Sequence, residues 1–243
     1  MDRLAGRQLL VTGAAGGMGE VACQAFAAEG ARVLGTDLRE RPEAFAGAGF
    51  VTADLATDEG RHAVLDACST ELGGLDGLYS NHGRIVARPF LETSAEDWRA
   101  ILAANLESVY FLLQGAVPLL SPGASVVLVA SAAGLGALPD TSAYCAAKGA
   151  LVMLAKSLAV DLAGRGIRVN AIAPGLIDTP MPRGFVADLP DPQAAWDAML
   201  AANLLGRAGR PEEVVSLGVH LLSPESGFTT GSVFVVDGGR LAT

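Results

Sequence analysis

Short apolar runs alternate with longer Ala-rich stretches from one end of this chain to the other. The runs fall at residues 8–12, 32–36, 50–52, 77–80, 125–130, 168–172 and 232–236. They are dominated by Val, Leu and Ile and lack the in-and-out alternation of a half-solvated strand, so they read as strands buried on both faces. Between them, residues 17–29, 58–72, 95–115, 142–163 and 211–222 carry helical apolar patterns. Strand followed by helix, with no repeat, low-complexity tract or linker, predicts a doubly wound parallel sheet of the Rossmann type, a three-layer α/β architecture with helices on both faces. A single domain over residues 1–243 is expected, because α/β units reach about 250 residues. Such sheets bind ligands at the carboxyl ends of their strands. The chemistry should therefore sit just after each apolar run.

Composition narrows the partners. Half of the 243 residues are hydrophobic (51%), and the 26 Asp and Glu against 17 Lys and Arg give a formal charge of −9. With no Lys/Arg cluster, neither nucleic acid nor an anionic membrane surface is an expected partner. Leu9-Leu10-Val11 runs straight into a glycine loop rather than forming a leader core. No uninterrupted apolar stretch approaches the roughly 18 residues of a membrane span. The three cysteines, Cys23, Cys68 and Cys145, are far apart in apolar company, so reduced buried thiols and a cytoplasmic home are expected. His62, His82 and His220 have no ligand-like neighbours, so no metal site is expected.

The first strand ends in Thr12 and leads into Gly13-Ala14-Ala15-Gly16-Gly17-Met18-Gly19. Glycines there let backbone amides approach a pyrophosphate, and the following helix adds donors and partial positive charge; a plain glycine-rich turn is the alternative. Asp37 ends the second strand, where a carboxylate accepts hydrogen bonds from adenosine ribose hydroxyls and repels a 2′-phosphate. NAD is thus favoured over NADP, although Arg39 stands close enough to fold back toward a phosphate, with Leu38 between them. Asp54, after the third strand and before Leu55, is placed either to meet the adenine edge or to cap a helix.

Tyr144 and Lys148 are four residues apart, and Ser131 closes the apolar run 126–130 thirteen residues before Tyr144. On a helix that separation stacks phenol and ammonium on one face. Bringing a phenol from about pH 10 to about 7 takes roughly 4 kcal/mol. One ammonium about 4 Å away, at an effective dielectric of about 20, supplies on the order of 4 kcal/mol. By this arithmetic one lysine suffices to make the tyrosine acidic.

Together these features resemble the short-chain dehydrogenase/reductase family over nearly the whole chain. Residues 12–19 look like its Thr-Gly-x-x-x-Gly-x-Gly loop, and Ser131, Tyr144 and Lys148 match its catalytic serine and Tyr-x-x-x-Lys. Asn105 resembles its mid-helix asparagine, Pro174-Gly175 with Ile177 and Thr179 its nicotinamide-contacting segment, and Val236-Asp237-Gly238-Gly239 a common ending. Asn81-His82-Gly83 stands where the family has Asn-Asn-Ala-Gly, a departure in a wall of the cleft; His82 either touches substrate or is a structural loop histidine. The resemblance implies hydride transfer between nicotinamide and a secondary alcohol or ketone. Tyr144 would move the proton, Lys148 would hold the nicotinamide ribose, and Ser131 would meet the substrate oxygen. Asn105 would hold a relay water or, alternatively, be a satisfied core amide. Leu38, Asp54, Leu55, Asn81 and Gly83 would complete the cofactor contacts.

Between residues 178 and 205 the alternation breaks, with four prolines and Met181, Phe185, Trp196 and Met199. The family uses this stretch as a substrate lid; ordinary core packing would equally claim Trp196 and Met199. The segments around Asn105 and Tyr144 are apolar on nearly every face, so self-association is expected, and the resemblance implies a homotetramer paired through those helices. Two other classes compete: a dinucleotide sensor without turnover, and a sugar-nucleotide epimerase or dehydratase. The latter generally need a larger carboxyl-terminal domain than the seven residues after Val236 provide.

Overall fold

The computed structural model describes residues 2–187 and 189–242. Its seven strands are β1 (Gln8–Thr12), β2 (Arg32–Asp37), β3 (Gly49–Thr52), β4 (Leu75–Ser80), β5 (Leu120–Val129), β6 (Arg168–Pro174) and β7 (Val233–Val236). They form one sheet in the order β3-β2-β1-β4-β5-β6-β7, and every pairing is parallel. Eight α-helices are described: α1 (Gly17–Ala28), α2 (Asp58–Ala67), α3 (Ala95–Leu102), α4 (Ser108–Ala116), α5 (Ser142–Leu162), α6 (Pro180–Ala187), α7 (Pro192–Ala201) and α8 (Pro211–Leu222).

Successive strand residues enter opposite cores, which is why the strands lack polar alternation. Leu10, Leu78, Val126 and Leu128 pack with Val64 of α2, Leu112 of α4 and Leu151 of α5. Leu9, Val11, Val127 and Val129 pack on the other side with Phe26 of α1 and with Val215 and Val219 of α8. The winding reverses between β1 and β4, so a crevice opens where Thr12 and Ser80 end their strands.

Three differences from the sequence reading matter. Residues 95–115 are not one α-helix: a π-turn at Ala103–Glu107 separates α3 from α4, and a second at Cys68–Leu72 extends α2. The segment 178–205, apart from Asp188, which lies outside the described residues, holds two helices that its prolines concealed. Cys145 is only half-buried, unlike Cys23 and Cys68, whose thiols burial pushes up to about 12.

Candidate active site

β5 delivers Ser131 to the sheet's carboxyl edge. Its hydroxyl accepts the Ala133 N–H at 3.1 Å and so caps the short turn Ala132–Gly134. That turn lies directly on α5: a Cβ on Gly134 would stand 2.6 Å from the Lys148 carbonyl carbon. The close approach sets Ser131 beside Tyr144, near enough for its hydroxyl to favour the phenolate.

Tyr144 (8% exposed) and Lys148 (4%) share the buried face of α5, with Nζ 5.8 Å from the phenol ring centre. The lysine donates to the Val129 carbonyl at 3.0 Å, and burial lowers its pKa to about 8. Burial likewise moves the Tyr144 phenol above its ordinary value, with the neighbouring Ser131 hydroxyl acting in the opposite direction. This corrects the expectation that one lysine makes the tyrosine acidic. The ammonium is itself disfavoured by burial and engaged with a carbonyl, so desolvation of the phenolate prevails.

Asn105 is fully buried in the π-turn. Its amide donates to the Arg84 and Ile101 carbonyls, both at 2.9 Å, and its Oδ1 accepts the Arg84 N–H at 3.2 Å. Its side chain thus braces the segment after β4. Gly83 must be bare at this point, since a Cβ there would lie 2.5 Å from Asn105 Oδ1 and 3.4 Å from Lys148 Nζ.

A cavity of about 470 Å³ opens beside Ser131 and Tyr144. Met18, Pro174, Gly175, Ile177 and Thr179 line it, together with Met181, Phe185 and Met199 of the segment 178–205. Trp196 lies elsewhere: it is buried with Leu176 and Val186, beneath the Arg183 guanidinium 3.6 Å away, which Asp178 holds at 2.8 Å. Sequence reasoning missed Ile85, Ala87, Arg240 and the strap Leu138–Thr141 as wall residues. Asp140 at φ +56°, the one described non-glycine residue with positive φ, was the available signal only in three dimensions.

The nucleotide end has the features of a dinucleotide cradle. Gly13 (φ +66°) passes the His82 backbone at a separation that a Cβ would close to 2.9 Å, and a Cβ on Gly19 would strike the Gly13 carbonyl. Asn81 Oδ1 is buried beside this loop without a partner among the described residues. The Asp37 carboxylate accepts from Ala15 N–H and Arg39 N–H, both at 3.0 Å, and its pKa is lowered, chiefly against burial, by the Arg39 side chain. Arg39 does fold back, but onto Asp37, at 3.2 Å. Leu38 is 70% exposed beside them; Asp54 binds the Ala56 N–H at 2.9 Å in a turn, while Thr57 is the cap of α2, and Leu55 is buried. His82 does not line the cavity. No group of metal-ligating residues is found among the described residues.

A family model described as enoyl-(acyl carrier protein) reductase matches residues 13–240. The chain is 36% identical to the meso-2,3-butanediol dehydrogenase of Serratia marcescens, over 99% of its own length and 97% of that protein's. It is 37% identical to the cyclopentanol dehydrogenase of a Comamonas species over the full length of both. The ligand-free aldohexose dehydrogenase of Thermoplasma acidophilum superposes with a TM-score of 0.93 at 28% identity, covering 100% of this chain and 96% of that one.

Proposed function

This chain belongs to the short-chain dehydrogenase/reductase family of oxidoreductases, and from that premise we propose that it interconverts a secondary alcohol and its ketone with NAD, using Tyr144 as general acid/base. The observation that carries the reading is Ser131 and Tyr144 at the wall of an apolar cavity, with Lys148 buried behind the phenol and a glycine cradle beside them. A bound nicotinamide dinucleotide supplies the hydride acceptor or donor. Residues 13–19 and the open Asn81 amide hold its phosphates and ribose, and Thr179 meets its amide. Asp37 selects NAD: the Arg39 side chain now bonded to it is 60% exposed, so it yields to a ribose diol at little desolvation cost. Asp54, Leu55 and Leu38 flank the adenosine.

During alcohol oxidation Tyr144 takes the hydroxyl proton, and during ketone reduction it returns one. Ser131 donates to the substrate oxygen as charge develops there. Lys148 would hold the nicotinamide ribose, and its charge together with that of the oxidised nicotinamide would favour the phenolate that burial alone disfavours. The lid excludes water. Two of the named relatives are dehydrogenases of butanediol and cyclopentanol, and the cavity's apolar lining supports an uncharged alcohol or ketone here.

Helices α4 and α5 leave Tyr110, Phe111, Met153 and Val160 exposed, which supports pairing of these helices with a second copy in a homotetramer.

The test is steady-state turnover with NAD and NADP over a panel of secondary alcohols, beside Tyr144→Phe. NAD is expected to give saturable turnover about tenfold or more above NADP, one carboxylate contact being enough for that difference. Tyr144→Phe should keep cofactor affinity by calorimetry and lose about a hundredfold or more in kcat. Preference for NADP removes the role of Asp37; an unimpaired Phe variant removes that of Tyr144.

A further inference from the structure

His82 replaces a family asparagine, and both of its ring nitrogens are engaged. Nδ1 lies 2.6 Å from Thr12 Oγ1, the last residue before the glycine loop, and Nε2 lies 2.8 Å from Ser108 Oγ, the first residue of α4. The surrounding bonds settle where the protons are. Thr12 Oγ1 already accepts the Asn81 N–H at 3.0 Å and the His82 N–H at 3.3 Å, so its own hydrogen goes to Nδ1. Ser108 gives its hydrogen to the Ala104 carbonyl at 3.1 Å, so it accepts from Nε2–H. A neutral imidazole protonated on Nε2 satisfies every group. A second proton would confront Thr12 Oγ1, whose hydrogen would then have no acceptor.

We propose that His82 is a positioning residue: a neutral crossbar that fixes the distance between the dinucleotide loop and the helix pair bearing the catalytic side chains. The next residue, Gly83, faces Lys148 and Asn105, so displacement of His82 is passed straight to the lysine. Burial, the larger effect, and the Lys148 charge both oppose protonation of the ring, Asp37 favours it, and the balance lowers its pKa to about 4. The assignment rests on the catalytic reading given above for its consequence in turnover, but not for the state of the ring.

Two measurements test it. Nitrogen-15 NMR of the cofactor-free chain, whose three histidines make assignment by His82→Asn direct, should show one ring fixed in the Nε2–H form and constant from pH 5 to 8. A ring that titrates in that range, or carries its proton on Nδ1, overturns the proposal whatever the activity. The variants then divide the two bonds. His82→Asn keeps an acceptor for Thr12 and gives up Ser108, as does Ser108→Ala from the far side; both should retain cofactor affinity within about twofold while kcat falls about tenfold, the scale of one buried hydrogen bond. His82→Gln reaches Ser108 but not Thr12, and should instead weaken cofactor binding about tenfold. Equal losses in all three, tracking thermal stability alone, would reduce His82 to a structural residue and overturn the proposal. If the parent chain shows no turnover with any alcohol, the catalytic reading fails, while the NMR result still judges the crossbar.

Discussion

At the scale of single residues, two buried titratable groups determine how the molecule responds to pH. Lys148 has a folded pKa of about 8 against 10.5 for a free lysine, because burial disfavours its charge. The unfolded chain therefore binds more protons between those values, and the folded state is penalised below pH 8 by on the order of 3 kcal/mol, relieved as pH rises toward 10.5. Lys148→Met should accordingly unfold a few degrees higher than the parent at pH 7. That gain should vanish near pH 10.5, and turnover should be lost throughout. Thermal unfolding at the two pH values measures this, and a variant less stable at pH 7 would show that the bond to Val129 outweighs the buried charge. His82 acts at the other end of the scale. With a folded pKa of about 4 against 6.5, it costs stability on the order of 3 kcal/mol as pH falls from 6.5 to 4, since only the unfolded chain takes up the proton there. His82→Asn should flatten the acid limb of the stability curve, which urea titrations at pH 7 and 4.5 would show. Residue identity was legible at the site, but the ionisation of Tyr144 was not. A lysine four residues away is a sequence fact, whereas the desolvation opposing it depends on what the fold stacks around the ring.

At the scale of elements, close approaches between backbones align the proposed catalytic groups. The turn Ala132–Gly134 can lie on α5 only because Gly134 has no Cβ. Gly134→Ala must push the turn from Lys148, at a cost of about 1–3 kcal/mol typical of overpacking. Because Ser131 rides on that turn, kcat should drop about tenfold or more while cofactor affinity holds, a split that steady-state kinetics and calorimetry would resolve. Unchanged kcat would mean that Ser131 is held independently of the turn. Helix periodicity alone hid the π-turn around Asn105, since three-to-four-residue spacing continues across a one-residue insertion. The wide turn is filled by side chains: Asn105 serves the Ile101 carbonyl and Ser108 the Ala104 carbonyl. The two helices between residues 178 and 205 were missed for a different reason. Pro180 and Pro192 read as breakers in sequence, yet each sits at a helix start, where the missing N–H costs nothing.

At the scale of the whole molecule, the helical spans Ala95–Leu119 and Ser142–Arg165 are long and apolar enough to cross a bilayer by length and composition. Here one side of each packs on the sheet, and the other exposes Phe111 (46%) and Val160 (78%). Covering that surface with a second copy predicts at least a dimer, within the proposed tetramer, in sedimentation velocity, and Phe111→Glu should shift it to smaller species by placing a charge in an apolar contact. A parent chain that sediments as a monomer would refute the pairing. The amino-acid sequence by itself determined the doubly wound sheet, the glycine loop, Asp37 and the Ser131, Tyr144 and Lys148 set, because periodicity and motif spacing are local and survive without coordinates. Only the tertiary structure decided what surrounds those groups: Arg39 turned onto Asp37, Trp196 withdrawn from the cavity, His82 strung between Thr12 and Ser108, and Tyr144 held above its ordinary pKa. Those outcomes depend on desolvation and on contacts between residues far apart in the chain, and no linear pattern encodes either quantity until the strands have paired.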